Sequence, residues 1–139
     1  MQKLNNTFYA AGQILPEQVG NIAAQGFDII INNRPDGEEP GQPSAQDIAV
    51  AAGAAGIDYV HIPVGAGGLS HEDLALFNAR TADKQKALGF CKSGFRSVMV
   101  RAMALAQSGE DVATLVAEAG SAGYDISAQQ QMLQSLKNG

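Results

Sequence analysis

Between Ala87 and Ala106 the chain passes from a short apolar run, Ala87-Leu88-Gly89-Phe90, through Cys91-Lys92-Ser93-Gly94-Phe95-Arg96-Ser97 into a strongly apolar helical pattern. A buried strand that turns through Ser-Gly directly into a helix is half of a βαβ unit, and such units build parallel sheets covered by helices. The same alternation recurs upstream. Phe8–Ala11, Phe27–Ile31, Ile57–Val64 and Lys86–Cys91 read as strands. Pro16 opens a helical pattern that carries Val19, Ile22 and Ala23 on one face and ends at Gly26. Ser44 with Asp47 and Ser70 with Asp73 have capping-box spacing. They predict helices from Ser44 to about Ala55, stopped by Gly56, and across Leu74, Leu76 and Phe77. Ser108 with Asp111 and Ser127 with Gln130 suggest two further helix starts. With right-handed crossovers, the expected fold is a three-layer α/β/α arrangement around a short, mainly parallel sheet. Residues 1–139 are expected to form a single domain, since that length builds one core without staples.

Ligands of such sheets bind beyond the carboxyl ends of the strands. Three loops are expected there: Asn32–Pro43, Val64–Ser70 and Cys91–Ser97. In the last, a helix N-terminus points its orphan N–H groups and its positive dipole end at the only cysteine of the chain, which favours a thiolate or a bound anion. A lone cysteine is most often a small buried hydrophobe. Arg96, however, stands early in a helix, where a cation opposes the dipole, and its planar fork suits two oxygens at once. Gly94 tolerates positive φ and lets the loop fold back. Ser97 is placed to hydrogen-bond the thiolate, Lys92 is a solvated cation that adds potential, Ser93 lines the turn, and Phe95 walls the site or packs. Cys91 and Arg96 are therefore the expected catalytic pair, with Lys92, Ser93, Gly94, Phe95 and Ser97 binding substrate. Arg34, directly after a buried strand on the same edge, reads equally well as a second binding residue or as part of an acidic, solvent-exposed turn through Pro35-Asp36-Gly37.

Other chemistries find little support. Gly65-Ala66-Gly67-Gly68 misses the G-x-G-x-x-G spacing because position 70 is Ser, so no dinucleotide is expected. His61 reads as a hydrogen-bonded strand residue and His71 as a solvated one, and with one cysteine they make no metal set. No cofactor is expected. A formal charge of −5 argues against nucleic-acid or anionic-membrane partners but leaves room for a small anionic substrate in a local cationic site. A first segment without an apolar core, and no run of about 18 apolar residues, place the expected protein in the cytoplasm.

The chain resembles the bacterial beta-lactamase-hydrolase-like, phosphatase-like domains, relatives of the dual-specificity and tyrosine phosphatases. The likeness rests on Tyr9-Ala10-Ala11-Gly12-Gln13, Ile31-Asn32-Asn33-Arg34-Pro35-Asp36-Gly37-Glu38, His61-Ile62-Pro63-Val64 and the Cys91–Ser97 heptapeptide. It implies a cysteine-phosphatase-type fold, Cys91 as nucleophile and Arg96 as oxyanion clamp. Three departures accompany it. Four residues separate Cys91 from Arg96 where tyrosine phosphatases have five, a length similar to the persulfide loop of rhodaneses. Phe90 stands where related phosphatases have His. Glycines fill the loop that usually carries the aspartate acid, leaving Asp36, Glu38 or Glu39 as substitutes, Asp36 first.

Three functions follow as expectations. The first is hydrolysis of a phosphate ester through a cysteinyl-phosphate. The second is rhodanese-like sulfur transfer from a sulfane donor through a Cys91 persulfide. The third is a non-catalytic oxyanion-binding module.

Overall fold

The computed structural model describes residues 1–139. Its elements are β1 (Gln2–Asn5), β2 (Phe8–Ala11), α1 (Val19–Ala24), β3 (Ile29–Asn32), α2 (Ala45–Ala55), β4 (Asp58–His61), α3 (His71–Thr81), β5 (Ala87–Phe90), α4 (Phe95–Gln107), α5 (Val112–Ser121) and α6 (Gln130–Asn138). The five strands lie in the order β1-β2-β5-β3-β4. All neighbours are parallel except β1 and β2.

Alternation along the strands divides the core in two. Ile29 and Ile31 join Phe8, Ala10, Ala87 and Val60 under α3, α4, α5 and α6, whereas Ile30, Leu88 and Phe90 face α1 and α2. Helices therefore cover both faces, and the three-layer α/β/α architecture expected from the sequence is the one observed. Ser70 and Asp73 cap α3 reciprocally, with Asp73 N–H donating to Ser70 Oγ at 3.1 Å and Ser70 N–H to Asp73 Oδ2 at 2.9 Å. Ser44 caps α2, accepting from Asp47 N–H at 3.0 Å.

Element bounds differ from expectation in several places, β3 running over Ile29–Asn32 rather than Phe27–Ile31 and β5 over Ala87–Phe90 rather than Lys86–Cys91. β1 was not foreseen, because Gln2-Lys3-Leu4-Asn5 buries only Leu4 on an edge strand. The Pro16 pattern begins as a 3-10 turn before α1. The Ile57–Val64 run pairs only over Asp58–His61, and Pro63, with no N–H, cannot prolong the ladder. Finally, α5 starts at an Asp111 cap that accepts from Thr114 N–H, three residues beyond Ser108.

Strand order is what positions the site. β5 lies between β2 and β3, so Cys91 emerges between their following loops: Cys91 N–H donates to Ala11 O, and Asn33 N–H to Phe90 O. Gly89 matters to the same end. A Cβ there would sit 2.9 Å from Phe8 Cζ and 3.1 Å from Ser97 Cβ, so glycine lets the start of α4 close onto β5.

Candidate active site

Cys91 is fully buried at the carboxyl end of β5, and its Sγ accepts a hydrogen bond from Gly94 N–H at 3.0 Å. Gly94 caps α4 with φ 93°, a conformation glycine adopts without strain. Phe95 N–H donates weakly to Ser93 Oγ at 3.4 Å. The amides of Lys92, Ser93, Arg96 and Ser97 donate to no protein acceptor. They are the orphan donors of a helix start and of the turn before it, gathered beside the sulfur.

Arg96 brings the expected loops together. Its Nη1 donates to Glu38 Oε2 at 2.8 Å and to Val64 O at 3.0 Å, and its Nη2 donates to Glu38 Oε1 at 2.8 Å. Of the five guanidinium N–H groups, three are thus engaged. The two that remain, on Nε and Nη2, share one edge of the plane and form the bidentate fork that suits an oxyanion. The pKa of Arg96 is raised, first by its hydrogen bonds to Glu38, against the opposing effect of burial, with smaller contributions from the charges of Glu38 and Cys91.

Behind Glu38 stands Arg34, only 1% exposed. Its Nε donates to Glu38 Oε1 at 2.9 Å, its Nη2 to Glu39 Oε1 at 2.8 Å and its Nη1 to Gln13 Oε1 at 2.9 Å. Burial opposes the charge on Arg34, yet the hydrogen bonds to Glu39 and Glu38 outweigh it and raise its pKa. Glu38, bonded to Arg96 and then to Arg34, is pulled down to about 2 and is ionised at any ordinary pH. Arg34 therefore anchors Glu38, the carboxylate that orients Arg96, and holds Glu39 beside it.

The remaining expected residues fall into place unequally. Lys92, 64% exposed at its side chain, lies 3.9 Å from Glu39. Phe95 is exposed at the first position of α4, where it can wall the site but packs into neither core. Ser93 joins the site through its carbonyl, which accepts from Tyr124 Oη–H at 3.0 Å. Ser97 Oγ, fully buried, makes no hydrogen bond to Cys91 or to any other group. Asp36 Oδ1 accepts from Ala45 N–H at 2.8 Å, so this carboxylate serves the start of α2, while Glu38 meets Arg96. His61 is the hydrogen-bonded strand histidine expected, its Nε2 2.9 Å from Arg34 O.

Three participants were not singled out from the sequence. Gln13 receives Arg34; Gly12 allows the turn after β2 to approach Lys92 O, where a Cβ would sit 2.9 Å away; and Tyr124 braces Ser93. The motif Tyr9–Gln13 contained the first two, but nothing in it showed that β2 would lie beside β5. No cleft of the surface is lined by a residue of the Cys91–Ser97 loop.

A short, mostly parallel sheet covered by helices, with a cysteine at a strand end and an arginine at the first turn of the following helix, has the architecture of a phosphatase-like domain. Comparison bears this out. The chain belongs to the family described as beta-lactamase hydrolase-like protein, phosphatase-like domain, which it matches over residues 1–109. It is 34% identical over 134 residues to a beta-lactamase hydrolase-like protein of Agrobacterium fabrum, covering 95% of this chain and 31% of that one. The chain thus spans less than a third of the length of the curated relatives it matches. A candidate phosphatase from Neisseria meningitidis superposes with a TM-score of 0.80 at 27% identity, covering 97% of this chain and 96% of that one. Tk-PTP in its active form superposes with a TM-score of 0.69 at 18% identity, covering 99% of this chain and 95% of that one, a likeness of fold. No helix is long and apolar enough to cross a membrane.

Proposed function

We propose that Cys91 is the nucleophile of a group-transfer site and that Arg96, with the loop amides, holds the anionic group it attacks. In the phosphatase reading, Cys91 sulfur attacks phosphorus in line, the bond to the leaving oxygen breaks, and water later releases phosphate from the cysteinyl-phosphate. The fork of Arg96 and the amides of Lys92, Ser93, Arg96 and Ser97 stabilise the charge that develops on the equatorial oxygens. The observation that carries this reading is the free edge of Arg96 beside Cys91, fixed by Glu38 on its other edge. Family membership and fold support phosphate chemistry.

One observation favours sulfur transfer as a second reading. None of the expected acids is poised to protonate a leaving alkoxide: Glu38 is held ionised, Glu39 is bonded to Arg34, which lowers its pKa, Asp36 is engaged at α2, and Gly65–Gly68 has no ionisable side chain to offer. Transfer through a persulfide needs no such acid. Cys91 sulfur attacks the outer sulfur of thiosulfate, the S–S bond breaks and sulfite leaves; cyanide then takes the terminal sulfur as thiocyanate and restores the thiolate.

A paired assay of the wild type and Cys91→Ser with an aryl phosphate, and with thiosulfate plus cyanide, separates the readings. Phosphate release lost in the variant supports the first, and thiocyanate formation lost in the variant supports the second. Turnover unchanged by the substitution would refute both. Oxyanion binding without either turnover would leave the non-catalytic module.

A further inference from the structure

At the end of the sheet opposite Cys91, the amino ends of β2 and β5 meet α3 and α4 around a cavity of about 210 Å³. Phe8 and Ala87 contribute from the strands, Phe77 and Asn78 from α3, and Arg101 and Leu105 from α4. About 13 Å of extended chain, from Ala87 to Cys91, separates it from the cysteine loop. The charged residues that line it are Arg101 and Lys84, and no carboxylate does.

Arg101 is 5% exposed, yet only one of its five N–H groups has a protein acceptor: Nη2 donates to Glu118 Oε1 at 2.9 Å. Glu118 has a second partner of its own, Asn5 Nδ2, which donates to its Oε2 at 3.0 Å. The guanidinium lies over the Phe8 ring, 5.3 Å from its centroid. Buried donors are almost always paired. The side-chain atoms sealed without a partner are Asn33 Oδ1 and Ser97 Oγ, so Nε and Nη1 of Arg101 are not sealed and open on the cavity that Arg101 lines. Whichever edge of the guanidinium the Glu118 bond occupies, the other edge keeps two N–H groups, the fork that suits a carboxylate. Lys84, held by Asp58 at 2.6 Å, keeps two further donors. The neighbouring donors are committed, Thr81 Oγ1–H to Phe77 O at 2.8 Å and Asn78 Nδ2–H to Ala104 O at 2.9 Å, so recognition falls to the cations. Water alone would satisfy the nitrogens but leave Phe8, Phe77 and Leu105 wetted. An apolar cavity of about 150 Å³ holds a benzene-sized molecule, so this one has room for a ring and a carboxylate.

We propose that this cavity is a second binding site, for a free carboxylic acid with a ring-sized apolar body. The carboxylate sits on the open edge of Arg101, Lys84 adds positive charge, and the body packs against Phe8, Phe77 and Leu105. The site is independent of the chemistry at Cys91.

Benzoate is the probe and benzamide its neutral counterpart. Each is titrated into the protein at constant ionic strength while the amide resonances of Phe8, Asn78, Ala87 and Ser93–Ser97 are followed. Benzoate should shift Phe8, Asn78 and Ala87 and saturate in the millimolar range, as befits so few atoms. Benzamide should bind at least about tenfold more weakly. Ala82→Phe, at an exposed residue lining the cavity, should weaken benzoate at least about tenfold by taking its space. Arg101→Gln should leave benzoate no better than benzamide. Where that variant fails to fold, Lys84→Gln replaces it, with benzoate about threefold weaker and benzamide unchanged. Shifts confined to Ser93–Ser97, equal affinities for the two probes, a benzoate affinity untouched by Ala82→Phe, or no saturation at all would each overturn the inference.

Discussion

Gly94→Ala tests whether the Cys91 loop is held in shape by backbone conformation and by one phenol. Gly94 has φ 93°, which costs an L-residue about 1–2 kcal/mol. An added Cβ would also overlap Tyr124 Oη and come within 3.3 Å of Ala11 O. Relief requires Tyr124 to swing out, giving up its bond to Ser93 O, at about 1 kcal/mol for the bond and about as much again for lost packing. The substitution is therefore expected to destabilise by about 3–4 kcal/mol. With a urea m-value of about 2 kcal/mol/M, the midpoint should fall by about 1.5–2 M. In a Tyr124→Phe background the oxygen is gone and its hydrogen bond already lost, so the same change should cost only the conformational part, about 1–2 kcal/mol. Urea denaturation of the four proteins gives the coupling directly. Equal costs in both backgrounds would refute the overlap with Tyr124, and a cost below about 1 kcal/mol in the wild type would refute the conformational argument too.

The remaining expectations are simpler. Glu38 has its pKa lowered in the fold from 4.5 to about 2, so its contribution is present above pH 4.5 and is lost as pH falls through about 2. Because its carboxylate is 30% exposed, solvent screening reduces that contribution to about 1 kcal/mol, and a comparison of wild type and Glu38→Gln in acid denaturation should show their stabilities converge as pH drops from 4.5 to 2. Gly89→Ala should destabilise by about 1–3 kcal/mol, measured by thermal unfolding, because Phe8 and Ser97 leave no room for a methyl group; a neutral result would show that α4 can retreat from β5 freely. Asp36→Ala should lose about 0.5–2 kcal/mol through the start of α2 while the pH dependence of turnover stays the same; a vanished basic limb would instead restore Asp36 as the proton donor.

The layers were legible because their signals are local. Short apolar runs, capping serines at Ser44 and Ser70, and the strand-to-helix turn at Cys91 each act within a few residues, and each predicted its element. β1 escaped because an edge strand needs little apolar surface: only Leu4 reaches the core. The placement of Cys91 and Arg96 beside a helix start was legible for the same local reason, since both belong to one strand-to-helix turn. Their supports were not. Glu38 is 58 positions from Arg96 and Tyr124 is 31 from Ser93, and those meetings depend on β5 inserting between β2 and β3. Side-chain type marked Asp36, Glu38 and Glu39 as candidates, and Asp36 was placed first. Only the path of the Pro35–Gln42 turn sends Asp36 to α2 and Glu38 to Arg96.

That division explains why one cradle accommodates two chemistries. On the proposed function, everything the turn itself supplies, a sulfur nucleophile, free amides and a guanidinium edge, would stabilise an anionic group during transfer and is indifferent to whether phosphorus or sulfur is moved. What separates the two is the fate of the leaving group. An alkyl phosphate releases a strongly basic alkoxide that needs a proton, and the nearest carboxylate to Arg96 is locked in its ionised form by two guanidinium groups. Aryl phosphates and thiosulfate release weaker bases that leave unaided. On that proposal Glu38 performs one task at the cost of another: by fixing Arg96 it orients the guanidinium for an oxyanion, and it gives up the proton that alkyl phosphate hydrolysis would require. The substrates compatible with this arrangement are those whose leaving groups depart as stable anions.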